Sequence, residues 1–146
     1  MTSRAVAFLV AGGAAIALWQ SSHSAIVASQ PRTVWDGVYT DAQAKRGMPL
    51  YQSKCARCHA PELTGKDAPP LKGAEFNANW NDLSLNDVFE RIRIGMPDDE
   101  KGTLTRPQVA DLLAVILQVA EMPAGKTEVP TEAAALKDIK FLGTKP

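Results

Sequence analysis

Two residue types that often carry chemistry are scarce in this 146-residue chain, which has two cysteines and two histidines. A disulfide framework is excluded, and a zinc site has too few soft donors to close around a metal. Sixteen Lys and Arg balance sixteen Asp and Glu, and no basic run occurs, so the chain has no footprint for nucleic acid. Repeats of solenoid length and low-complexity tracts are missing. No stretch alternates polar and apolar residues like a half-buried strand, which leaves an all-α fold. The one long apolar run, Ala5 to Trp19, falls short of the roughly 20 residues that cross a bilayer.

That run follows Arg4 and precedes small residues such as Ser21, Ser22, Ser24 and Ala25. A basic start, a short apolar core and a small-residue zone predict a signal peptide over residues 1–25, with cleavage between Ser24 and Ser29. Its removal leaves about 120 residues, the size of one domain. Left uncut, the segment would tether the protein to a membrane.

Both cysteines stand in Cys55-Ala56-Arg57-Cys58-His59, the Cys-x-x-Cys-His attachment pattern of a c-type haem. On one helical turn the thiols at i and i+3 face the same way and can bond the two vinyl groups of one porphyrin edge. His59, at i+4 from Cys55, can offer a ring nitrogen to the iron. Three competing readings are weaker. A thioredoxin-like pair needs a βαβ setting, and no β-rich run precedes Cys55. A disulfide across so short a gap constrains little and leaves His59 unexplained. Zinc would have only His23 left, inside the leader. One motif means one haem c.

Four helices are expected. The first opens at Thr40, where Thr40 and Gln43 form a capping-box pattern and Ala44, Gly47, Met48 and Tyr51 form a stripe. Pro49 inside it predicts a kink or break. Residues 60–83, rich in Pro, Gly and Asn, are expected to be a loop wrapping the haem. A second helix is capped by Ser84, carries Leu85, Val88, Phe89 and Ile92 on one face and ends at Gly95. Thr105 and Gln108 open a third, with the most regular stripe in the chain, from Val109 to Ala120. Past Pro123 the tail is proline-interrupted, with a short helix over 131–139.

An iron held by His59 has one more axial position. Met96 follows a capped helix, with Gly95 freeing the chain and Pro97 stiffening it, so its thioether can be held at a fixed point. A soft sulfur ligand favours ferrous iron and raises the potential. In the other reading Met96 is a core filler, with Met48 and Met122 as distant substitutes.

With Cys55 to His59, Ala-Pro-Pro-Leu-Lys-Gly at 68–73 and Met96-Pro97 in that order, the chain resembles a monohaem class I cytochrome c over Val34 to Ala120. The resemblance implies a lead-in at 26–39, a cytochrome c domain at 40–122 and a tail at 123–146. It implies that Gly47 and Tyr51 sit where the first and last helices cross, with Leu113 and Leu117 opposite. The carbonyl of Pro69 would accept the proton of His59. Leu71 and Gly73 fit the positions after it. Trp80 would donate to a haem propionate, or else be a half-buried core aromatic. Pro49 departs from the unbroken helix usual there. Val34 to Thr40, and Pro123-Ala124-Gly125, are similar to haem c domains associated with quinoprotein dehydrogenases that use pyrroloquinoline quinone (PQQ).

These features imply a periplasmic single-electron carrier, not an enzyme, between a periplasmic dehydrogenase and the respiratory chain, with an oxidase or another cytochrome as acceptor. A haem enzyme or gas binder with an open sixth site is the alternative. It needs a distal histidine or similar polar group, and the other histidine, His23, is in the leader. Lys45, Arg46, Lys54 and Arg57 either steer an acidic partner or form a solvated helix surface. Asp98, Asp99 and Glu100 read as solvated loop charges.

Overall fold

The computed structural model describes residues 31–146, so the expected signal peptide lies outside the described residues. Among the described residues, six helices are ordered α1 (Asp41–Lys54), α2 (Ala56–His59), α3 (Gly73–Trp80), α4 (Leu85–Gly95), α5 (Arg106–Val119) and α6 (Ala133–Lys137). A two-residue parallel pair, β1 (Arg32–Thr33) with β2 (Ile139–Lys140), joins the lead-in to the tail. The fold is all-α, and no helix among the described residues is long and apolar enough to cross a membrane.

Local chemistry sets the main helices. Thr40 accepts a hydrogen bond from the Gln43 N–H at 3.1 Å. The other half of that expected box is missing, because the Gln43 side chain turns inward. Its Oε1 accepts from Val129 N–H at 2.8 Å, tying α1 to the tail. Ser84 with Asp87, and Thr105 with Gln108, form complete capping boxes on α4 and α5. Pro49 does not break α1. One hydrogen bond to Lys45 is forgone, but α1 is packed along its length on α5, the most extensive helix contact in the molecule. Gly47 makes the close crossing. A Cβ there would fall on the Asp111 carbonyl and within 3.0 Å of Val115 Cγ2. The face opposite Gly47 is therefore Asp111 and Val115, while Leu113 and Leu117 are fully buried in the core.

Two helices join the four expected. The haem motif itself is α2, and α3 lies within the stretch expected to be loop. Gly-Ala-Glu-Phe-Asn-Ala-Asn-Trp shows no stripe beyond Phe76 and Trp80, so its helicity depends on tertiary contacts rather than pattern. The tail holds α6 inside the expected 131–139, yet it is not peripheral. Met122, Val129, Leu136, Ile139 and Phe141 are buried in the same core as α1 and α5.

Candidate haem site

The Cys55 to His59 turn is built by the backbone. Cys55 N–H closes α1 on the Tyr51 carbonyl at 2.8 Å, and the Cys58 and His59 N–H groups both return to the Cys55 carbonyl at 3.1 and 3.0 Å. Beyond it, Ala60 turns with φ 66°, and Gly65 N–H returns to the His59 carbonyl at 2.9 Å. Asp67 and Ala68 N–H bond the Cys58 carbonyl at 3.1 and 3.0 Å. These bonds fold the loop over the helix end. The buried Tyr51 hydroxyl donates to the Ala60 carbonyl at 2.6 Å and locks the same turn, and burial raises its pKa.

One consequence is a contact at His59. Its Nδ1 lies 2.7 Å from the Pro69 carbonyl, whose oxygen can only accept, so Nδ1 carries the proton. In that tautomer of the neutral ring, Nε2 is the nitrogen available as a metal ligand.

A cleft of about 700 Å³ opens between these elements. Cys55, Cys58, His59, Pro69, Leu71, Trp80 and Met96 all line it, brought together from four separate segments. Met96 is set at the end of α4 by its own N–H bonding the Ile92 carbonyl at 2.9 Å. Val88, Leu112 and Ile116 supply a buried apolar wall.

Phe76 and Arg91 are among the lining residues that sequence reasoning did not place at the site. Phe76 lies on α3, which carried no helical signal. Arg91 lines the cleft and has no carboxylate partner among the described residues. A cation on the helix that leads to Met96, five residues before it, was the available clue.

Of the four basic residues read as steering a partner or forming a solvated helix surface, Arg46, Lys54 and Arg57 are paired with carboxylates. Lys54 pairs with Glu100 at 2.6 Å and Arg57 with Asp99 at 2.6 Å, so both bonds join the attachment turn to the loop after Met96. Arg46 forks to Asp111 and Glu128 instead. Asp99 and Glu100 are thus paired across the structure rather than merely solvated.

Burial pushes the Cys55 thiol up to about 11, with the neighbouring Cys58 adding to the shift. A redox-active pair needs a lowered thiol pKa, so this environment opposes thiol exchange. No cluster of three or more His, Cys, Asp or Glu among the described residues could hold a metal ion. Two thiols on one helical turn, an imidazole with its orientation fixed and a thioether share one apolar cleft. That donor set fits an iron porphyrin.

A family model described as cytochrome c oxidase, cbb3-type, subunit III matches residues 42–116, just over half of the chain. No curated protein and no solved structure matches at a significant level. The matched span runs from the start of α1 through most of α5 and encloses the whole cleft-lining set. The chain therefore belongs to the cbb3-type cytochrome c oxidase subunit III family, as a monohaem c-type cytochrome with covalent haem c and the role of a haem electron carrier.

Proposed function

We propose that the protein is a periplasmic single-electron carrier in which Cys55 and Cys58 would hold the haem and His59 Nε2 and Met96 Sδ would ligate its iron. Residues 1–25 serve as export signal, 26–39 as lead-in, 40–122 as haem domain and 123–146 as tail. A periplasmic dehydrogenase, of the PQQ-dependent class, is the electron donor. An oxidase or another cytochrome of the respiratory chain is the acceptor. The observation that carries the reading is the Nδ1 contact with the Pro69 carbonyl at 2.7 Å, which leaves the other ring nitrogen of His59 available to a metal. The donor assignment draws on the likeness of Val34 to Thr40 and Pro123 to Gly125 noted above.

When bound, the haem supplies a one-electron iron couple. The residues do the rest. Pro69 keeps His59 in one tautomer and orientation through both oxidation states. Met96 brings a soft sulfur that favours the reduced form and raises the potential. Val88, Leu112 and Ile116 exclude water from the cleft, which again disfavours the extra charge of the oxidised state. Trp80 lines the cleft, and in this reading its indole N–H would donate to a haem propionate. Ligands held in place in both states keep reorganisation small, as a carrier requires.

Met96→Ala tests the ligand assignment. Haem stays attached on a denaturing gel, the far-red sulfur-to-iron band of the ferric spectrum disappears and the midpoint potential falls. A variant with native band and potential overturns it. High-spin ferric iron or ready carbon monoxide binding in the unaltered protein would favour an open-site haem enzyme instead.

A further inference from the structure

The matched family span ends at 116, yet one wall of the cleft is held by residues beyond it. α3 contributes Phe76 and Trp80 to the cleft, and no helix among the described residues packs along its length. Its support comes from the tail. Phe141, 1 % exposed, sets its ring edge-on to Phe76, with centroids 5.7 Å apart and planes at 81°. Phe76 in turn meets Trp80 at 6.2 Å. The backbone of Phe141 brackets the residues after α3, donating to the Leu83 carbonyl at 2.8 Å and accepting from Asp82 N–H at 2.9 Å. Asn77 donates to the Gly143 carbonyl at 2.8 Å, and Gly143 N–H donates to Asn81 Oδ1 at 2.9 Å. One hydrogen bond and an aromatic contact thus reach α3 itself from Gly143 and Phe141, and three more bonds hold Asn81, Asp82 and Leu83 just after it.

The lead-in anchors this strap. Arg32 and Thr33 pair with Ile139 and Lys140, and Trp35 Nε1 donates to the Leu142 carbonyl at 2.9 Å. Gly125 N–H bonds the Tyr39 carbonyl at 2.7 Å where Gly37 and Gly125 pass without room for a Cβ.

We propose that Phe141 is a positioning residue for the haem: through Phe76 and Trp80 it holds the α3 wall against the cleft and so helps to set the reduction potential. The inference rests on the haem occupying this cleft but not on Met96 as its ligand. A wall that loosens admits water, and water stabilises the oxidised state's extra charge.

The experiment compares holoprotein variants. Phe141→Ala lowers the midpoint potential and alters the circular dichroism of the Soret band, while covalent haem and the far-red band are retained. Phe141→Leu, which keeps most of the volume, restores much of the potential. Val129→Ala, in the same tail but packed near Gln43, lowers the melting temperature and leaves the potential unchanged. Should Phe141→Ala yield no holoprotein, Asn77→Ala carries the test, and the same downward shift is expected. A potential and Soret signal that stay native in the Phe141 variant, or in Asn77→Ala in its place, overturn the proposal. So does a Val129→Ala shift as large as that of Phe141→Ala.

Discussion

Gly47 is where two helix backbones meet with no space for a side chain. A methyl there would sit 2.6 Å from the Asp111 carbonyl carbon, so α1 and α5 must separate along their main contact. Gly47→Ala is expected to cost about 1–3 kcal/mol, well above its small helix-propensity gain. The urea midpoint should fall with an unchanged slope, and a native midpoint would mean the crossing has slack. Residue-scale legibility followed chain distance. Cys55, Cys58 and His59 declare themselves because their chemistry needs a fixed local spacing, and Met96 because Gly95 and Pro97 flank it. The Pro69 carbonyl has no side-chain signature. It entered only through a family resemblance, and ten residues of loop must fold before it reaches His59.

Helix ends were legible for the same reason, since capping is local chemistry. Thr105 with Gln108 needs only three residues of spacing, and the structure contains that box. α3 was not legible, because its partners arrive from residues 141 and 143. Elements α4 and α5 are further tied through Glu90, which accepts from Arg93 at 2.6 Å and Arg106 at 2.8 Å. Arg106 also donates to the Thr131 carbonyl at 2.6 Å and stacks over Phe89, 4.6 Å from the ring centroid. Partial burial pushes the Glu90 carboxyl up, but the hydrogen bonds from Arg106 and Arg93 outweigh this and hold it below its ordinary value. A lowered folded pKa gives stability that is present above the unfolded value, about 4.3, and is lost as pH falls through the folded one. Melting temperature should therefore drop more steeply below about pH 4.3 in the native protein than in Glu90→Gln. Parallel acid limbs for the two proteins would remove Glu90 from the acid transition.

For the molecule as a whole, the surface near the attachment turn is charge-balanced. Lys54 with Glu100, Arg57 with Asp99, Lys66 with Asp67 and Lys101 with Asp98 leave little net field to steer a partner. Exposed pairs of this kind add little stability, so their larger effect is to cancel each other's reach. The bimolecular electron-transfer rate should change by less than about threefold between roughly 0.01 and 0.15 M salt, where steered pairs change by tenfold or more. A steep decline with salt would show that the pairs open on docking.

The pairing of lead-in with tail has a consequence for the order of assembly. As the polypeptide is synthesised, Cys55, Cys58 and His59 emerge long before Phe141 and Gly143, and contacts so far apart in sequence close late. Until they do, α3 lacks the ring of Phe141 and the backbone of Gly143 beside it, so the cleft wall that carries Phe76 and Trp80 is the last to be fixed.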